Sequence, residues 1–161
     1  MKVTIRRFEE QDIENKVRWI NDSKNNQYLH YELPLEVEKT RNWFLNNQDR
    51  EDRFDAIILA DNRAVGLIGL LSIKDNRAEF YVAIGEQSVK GVGVAKKASK
   101  LLLDHAENEL GLEEIYLYTE VDNIGAQKLF ESVGFIKREL IKNSAVNKGT
   151  LVDRYYYSIE L

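Results

Sequence analysis

The stretch that decides the fold spans Ser88–His105 and reads SVKGVGVAKKASKLLLDH. Two glycines, one residue apart, open an amphipathic segment directly after a strand-like one. The first N–H groups of a helix have no intrahelical partner, and the helix dipole favours negative charge. Glycines there let a phosphate approach the backbone. The turn Lys90–Val94 is therefore either a phosphate cradle, with Lys90, Lys96 and Lys97 adding positive charge, or an ordinary strand-to-helix turn that needs glycine for its dihedral angles.

The composition predicts one globular domain over residues 1–161. Hydrophobic residues make up 43% and charged residues 31% of the chain, an ordinary globular balance. The net charge of −4 argues against a nucleic-acid partner and is compatible with a cationic small-molecule amine as substrate. Because the chain has no cysteine, a disulfide framework, a thiol nucleophile and a cysteine metal site are excluded.

The sequence shows no apolar run of membrane-spanning length, so we expect no membrane association. The first residues, MKVTIRRF, are charged and strand-like and lack a secretory apolar region. We therefore expect a cytoplasmic protein. We expect it to be a monomer or a homodimer.

Apolar periodicity divides the chain into alternating strands and helices. Three strands at 53–60, 64–73 and 78–85 have connections too short for crossovers and predict an antiparallel meander. The helix after Gly93 makes the fourth and fifth strands parallel. The sequence thus predicts an α/β (α+β) fold, with a mixed, mostly antiparallel sheet and helices on both faces. The remaining predicted elements are a strand at 2–7, helices at 9–20 and from 37, a strand at 115–120, a helix after Asn123, and strands at 135–144 and 150–161.

The long helix after Gly93 carries a predicted apolar stripe. The stripe contains one histidine, and histidine titrates near neutral pH. On this stripe we interpret His105 as a core or interfacial residue rather than a catalytic one. The predicted stripe consists of Val94, Ala98, Leu101, Leu102, His105 and Leu110.

A second motif, NIGAQKLFESVGF, spans Asn123–Phe135. Together with Ser88–Gly93 and the strand between them, it resembles the signature of the Gcn5-related N-acetyltransferase (GNAT) superfamily. That signature has Gln/Arg-x-x-Gly-x-Gly/Ala opening a long helix, and later Asn-x-x-Ala-x-x-x-Tyr-x-x-x-Gly-Phe. The resemblance covers nearly the whole chain. It implies a single GNAT-like domain whose central parallel strands splay apart.

The resemblance implies acetyl-CoA as cosubstrate and no metal. The pyrophosphate would lie on the amides of the glycine turn, and the pantetheine arm would lie between the splayed strands, near Tyr81–Gly85 and Tyr116–Glu120. Asn123 would contact the arm as well as cap its helix, or it is a plain helix N-cap. The expected cofactor-binding residues are Val82, Ile84, Val89, Lys90, Gly91, Val92, Gly93, Val94, Asn123 and Phe130.

Two positions depart from the family pattern. Ser88 stands at the Gln/Arg position, with Gln87 one residue earlier, which suggests a shifted loop register. Phe130 stands at the tyrosine that protonates the departing thiolate in the family, and phenylalanine has no proton to give. Either Tyr116 or Tyr118 serves instead, or the thiolate leaves unassisted, which a thiol pKa near ~8.5 allows.

Acetyl transfer also needs a base, because an alkylammonium with a pKa near ~10 has no free lone pair. Glu79 matches a position where relatives often carry a glutamate base, and Glu120 is the second candidate. The alternative for Glu79 is a solvated strand residue paired with Arg77 or Lys74. A backbone N–H near Val82–Ile84 would stabilise the oxyanion.

The segment between the first two helices covers the acceptor in this family. It supplies the predicted substrate contacts, although packing is an equally good account of its two tyrosines. The expected substrate-binding residues are Tyr28, His30, Tyr31, Glu32 and Tyr81.

The acceptor is ranked by resemblance to one branch of the family. Trp19–Asp22, Asn76–Phe80 and Ile84–Glu86 resemble the ribosomal-protein alanine, spermidine and nucleotide-linked amino-sugar acetyltransferases. We rank an amino sugar or similar small amine first, a polyamine second and a protein N-terminus third. A non-catalytic acyl-CoA-binding module stays open as a different class, because of Phe130.

Overall fold

Seven strands and four α-helices make up the computed structural model, which describes all 161 residues. Short 3₁₀ turns at Glu10–Asp12 and Gln87–Val89 precede two of the helices. The elements are β1 (Val3–Arg7), α1 (Ile13–Asn21), α2 (Val37–Asn47), β2 (Phe54–Ala60), β3 (Arg63–Lys74), β4 (Arg77–Ile84), α3 (Val94–Asn108), β5 (Glu114–Glu120), α4 (Ile124–Val133), β6 (Ile136–Asn147) and β7 (Thr150–Glu160).

All strands belong to one sheet with the order β1-β2-β3-β4-β5-β7-β6. Every neighbouring pair is antiparallel except β4 and β5, which are parallel. The parallel pair is short, because its last paired position is Glu79 with Tyr116. Beyond it β4 continues to Ile84 and β5 to Glu120 without facing each other. The predicted fold class and the splayed central pair are confirmed.

The helices cover both faces of the sheet. On one face, α3 and α4 bury the larger apolar core, which includes Phe80, Leu102 and Leu117. On the other face, α1 packs a smaller cluster around Trp19 and Ile57. Side chains alternate along a strand, so Phe80 and Val82 of β4 point to the α3 side, whereas Glu79 and Tyr81 point to the α1 side.

The predicted stripe of the long helix was wrong at two of its positions. Leu101 is 37% and Leu110 is 39% exposed. Leu110 lies beyond the helix, which ends at Asn108. Leu101 lies on the solvent side because the helix rests on the sheet along positions four residues apart. The buried residues of the helix are Val94, Ala98, Ser99, Leu102, Leu103 and Ala106.

Two element boundaries differ from the prediction by three residues or more. The first helix begins at Ile13 rather than at residue 9, because Asp12 is drawn into hydrogen bonds with Arg6 and with the backbone of Glu9. The strand β6 continues to Asn147, past an irregularity between Ile141 and Ala145. None of the helices combines the length and the apolar character that crossing a membrane requires.

Candidate active site

The separation of β4 and β5 opens a cavity of about 1510 Å³. It extends from the glycine turn before α3, past the free edge of β4, to the segment between α1 and α2. The cavity therefore reaches both faces of the sheet. Two helices begin at its rim: α3, which follows Gly93, and α4, which follows Asn123. No group of three or more potential metal ligands comes together in the structure.

The glycine turn presents free backbone at this rim. Gly91 and Gly93 have φ of +77° and +86°, a left-handed conformation that favours glycine. A Cβ built on either residue would meet no atom within 4 Å, so the space beside the turn is open. No side chain caps α3, whose first N–H groups are thus available to an anion. The turn fits a phosphate group.

The polar side chains beside this turn are partly engaged elsewhere. The Lys90 Nζ donates to the Asn25 side chain and to the Lys24 carbonyl, and burial lowers the Lys90 pKa. The Ser88 hydroxyl accepts a hydrogen bond from Arg63 at 3.0 Å. Positive charge at the turn therefore depends on the backbone dipoles more than on Lys90.

Asn123 has the capping role that the sequence predicted. Its Oδ1 accepts a hydrogen bond from the Ala126 N–H at 3.3 Å, and α4 begins at the next residue. The residue also lines the cavity, so a contact with the pantetheine arm stays a prediction.

Phe130 lies between the cavity and the core. Its side chain lines the cavity, yet the residue is only 7% exposed. Its ring packs edge-on against Phe80 and Phe135, with centroid distances of 6.0 and 5.9 Å. Of the two tyrosines considered as replacement acids, Tyr118 lines the cavity and Tyr116 does not.

Glu79 is at the point where the two strands part. The residue lines the cavity, and its carboxylate forms no hydrogen bond or ion pair within the chain. Burial raises the pKa of Glu79, and the charge of Arg154 opposes the rise. The alternative of a carboxylate paired with Arg77 is wrong, because Arg77 pairs with Glu114 and donates to the Tyr156 hydroxyl.

Glu120, the second candidate base, is held in hydrogen bonds. Its Oε2 is 2.8 Å from His30 Nε2 and accepts from Asn147 Nδ2 at 2.7 Å. The residue is 8% exposed. Its carboxylate thus connects the segment between α1 and α2 to the hairpin of β6 and β7.

The other residues predicted to bind the acceptor amine form two groups, which differ in how deeply they lie. Tyr28 donates its hydroxyl proton to the Asp122 carbonyl at 3.1 Å, beside the Glu120 contacts. Glu32 is exposed at the cavity and has no ion-pair partner. Tyr31 and Tyr81 lie deeper, and burial raises the pKa of both hydroxyls.

A cluster that the sequence did not indicate surrounds these two tyrosines. The Asp55 carboxylate accepts two hydrogen bonds from Arg53, at 2.8 and 2.9 Å, and one from the Tyr81 hydroxyl. Burial would raise the Asp55 pKa, but these hydrogen bonds outweigh it and lower the pKa. Lys16 from α1 completes the cluster, and burial lowers its pKa. The cluster lines the cavity on the α1 side of the sheet, the side that Glu79 faces.

Comparison with known proteins identifies the family to which a sheet with this cleft belongs. Residues 2–136 match the family model described as an acetyltransferase (GNAT) domain. The chain is 25% identical over 165 residues to the uncharacterized N-acetyltransferase p20 of Bacillus licheniformis, covering 98% of this chain and 92% of that protein. It is 27% identical over 153 residues to the spermidine N(1)-acetyltransferase of Vibrio cholerae serotype O1, covering 91% and 86% of the two chains.

Solved structures share the fold. The spermidine N-acetyltransferase from Vibrio cholerae, solved in complex with CoA and spermine, superposes with a TM-score of 0.90 at 23% identity. The match covers 98% of this chain and 95% of that one. The chain therefore belongs to the GNAT family and is an acetyl-CoA-dependent N-acetyltransferase.

Proposed function

We propose that this protein transfers the acetyl group of acetyl-CoA to the primary amine of a small molecule, with Glu79 as the base. The observation that carries the proposal is the position of Glu79: a half-buried carboxylate without a partner, facing the cavity at the point where β4 and β5 separate. A base near neutral pH benefits from a raised pKa, and burial raises the pKa of Glu79.

In the proposed acetyl transfer, the residues that line the cavity have separate roles. Glu79 takes a proton from the ammonium group, directly or through water, so that the nitrogen lone pair can attack the thioester carbon. The C–N bond forms, the C–S bond breaks, and the electron pair leaves with the sulfur. The nitrogen loses its second proton to water as the amide forms. Because Phe130 has no acidic proton, water also protonates the thiolate.

The cofactor-binding residues would hold the cosubstrate along the cleft. The amides of Gly91–Val94 and the start of α3 would bind the pyrophosphate. Val82 and Ile84 lie on the part of β4 that β5 does not face, where the pantetheine arm would run. A backbone N–H of this free edge would stabilise the negative charge that develops on the acetyl oxygen.

Polyamines are the acceptor class to test first. Spermidine N(1)-acetyltransferases from two bacterial species are among the relatives, and they support a polyamine over the amino sugar that the sequence ranked first. Glu32 and Glu79 both face the cavity without an ion-pair partner and would attract a cationic acceptor. The named relatives also support catalysis over a purely binding module.

A thiol-release assay with acetyl-CoA and a set of amines tests the proposal. The set contains spermidine, a monoamine, a nucleotide-linked amino sugar and a peptide with a free N-terminus, and mass spectrometry identifies the acetylated product. We expect thiol release with at least one small amine and none without amine. Tight CoA binding with no release on any amine would instead support the binding module.

A further inference from the structure

Three aromatic rings enclose the ammonium group of Lys16. The Nζ lies 5.8 Å from the ring centroid of Phe8, 5.9 Å from that of Tyr31 and 6.0 Å from that of Trp43. We refer to Phe8, Tyr31 and Trp43 as the aromatic box. Aromatic faces attract cations, most strongly where water is excluded. The box is therefore a site for an alkylammonium, and in this chain the protein's own lysine fills it.

The Lys16 ammonium has no oxygen partner within the chain. The nearby Asp55 carboxylate is already bonded to Arg53 and to the Tyr81 hydroxyl. The Arg53 guanidinium, in turn, stacks over Trp43 at 4.6 Å. An ammonium carries three N–H donors, and leaving them without acceptors in a desolvated place is costly. The missing acceptors have to come from water or from whatever occupies the cavity.

Lys16 and the proposed base face the same space. Both residues line the cavity, and Tyr81, which reaches Asp55 beside Lys16, points to the same side of β4 as Glu79 two residues earlier. Glu79 and the aromatic box are therefore on the same side of the sheet and in the same cavity.

We propose that Lys16 is a specificity-determining residue of the acceptor site, which selects an amine with an anionic or oxygen-rich tail and disfavours one with a second ammonium group. The inference rests on the proposed N-acetyltransferase function but opposes the polyamine that the relatives support as acceptor, because every polyamine carries a second ammonium group. A diamine would bring its second charge to a box that already holds a cation. A carboxylate on the same carbon chain would instead accept the free N–H groups of Lys16.

Three amines with the same four-carbon chain test the inference: butylamine, putrescine and γ-aminobutyrate. In the wild-type protein we expect kcat/KM for γ-aminobutyrate to exceed that for putrescine by about tenfold or more. Lys16→Met keeps the length of the side chain and removes the charge, so the preference should shift towards putrescine by at least about tenfold. Lys16→Arg should retain the wild-type order.

The matched control is Lys100→Met on α3. Lys100 is exposed and does not line the cavity, so its removal changes the net charge equally but should leave the order of the amines unchanged. CoA affinity shows that each variant is folded.

Calorimetric binding of the three amines to the protein–CoA complex separates this inference from the proposed function. If γ-aminobutyrate binds more tightly than putrescine but neither is acetylated, the result refutes the proposed acetyl transfer and supports the role of Lys16. Acetyl transfer with the same order of amines in the wild type and in Lys16→Met would support the function and overturn the role of Lys16. Equal or unmeasurable affinity for γ-aminobutyrate and putrescine would also overturn it.

Discussion

At the scale of single residues, the carboxylate of Glu79 is half-buried, in surroundings that disfavour its ionised form. Burial raises its pKa, and the neighbouring Arg154 only partly offsets the effect. The folded state therefore binds a proton on Glu79 more tightly than the unfolded state does. By linkage, this residue favours folding most at a pH below its unfolded pKa, and that stability is lost as the pH rises through its folded pKa. An ionised Glu79 thus costs stability at neutral pH.

Glu79→Gln should consequently lose activity and gain stability at the same time. We expect kcat to fall by about 10²–10⁴-fold with little change in CoA affinity, because a general base is removed. The wild-type rate should fall at acidic pH along a limb set by the raised pKa of Glu79, and the variant should lack this limb. The melting temperature at pH 7 should rise by about 1–2 °C, because the neutral amide removes the cost of an ionised Glu79. The expected rise is small because Glu79 is only half-buried and solvent screens its charge.

The control for this prediction is the same comparison at a pH below about 4, where Glu79 is protonated and the difference in melting temperature should vanish. Unchanged turnover in Glu79→Gln would remove the residue from the mechanism.

At the scale of elements, the segment between α1 and α2 is attached across the cleft to β5 and the hairpin of β6 and β7. Three contacts make this attachment. His30 pairs with Glu120, and the Tyr28 hydroxyl donates to the Asp122 carbonyl. The Asn147 side chain donates to the Gln27 carbonyl at 3.0 Å. Glu120 accepts bonds from both sides of this connection. We therefore expect Glu120 to hold this connection in position, and Glu79 to act as the base, as proposed above.

Glu120→Gln should separate the two roles. We expect the melting temperature to fall by about 3–8 °C, because a buried carboxylate with two hydrogen bonds is replaced by an amide that cannot accept both equally well. KM for the amine should rise, while kcat should fall by less than about tenfold. His30→Gln, which keeps a donor for Glu120, is the conservative control. A hundredfold loss of kcat with an unchanged melting temperature would make Glu120 the base.

Sequence reasoning reached those parts of the site that have local signals. The left-handed turn at Gly93 and the cap at Asn123 each follow from a few neighbouring residues, and the parallel pair follows from the single long crossover helix. By contrast, Lys16, Trp43 and Asp55 come from α1, α2 and β2, and only tertiary packing brings them together. The exposed position of Leu101 likewise depends on how α3 rests on the sheet, which helical period alone does not specify.

At the scale of the whole molecule, the sheet consists of two parts joined weakly at the centre. Strands β1 to β4 form one part, and β5, β7 and β6 form the other. Between them β4 and β5 pair only over Arg77–Glu79, next to a cavity of about 1510 Å³. A ligand in the cleft would contact both parts at once. CoA binding should therefore stabilise the entire fold and not only the glycine turn.

Thermal unfolding with CoA tests this expectation. A ligand at 100 times its Kd adds about 2.7 kcal/mol to the free energy of unfolding, which for this size corresponds to a rise in melting temperature of about 5–10 °C. Gly93→Ala should lose most of the rise, because alanine strains the left-handed turn that presents the amides. Gly111→Ala is the matched control: its φ of +65° imposes the same strain in open space. Since Gly111 lies away from the cavity, this variant should melt lower by itself yet show the full rise with CoA. An equal rise in both variants would mean that the turn at Gly93 does not hold the cosubstrate.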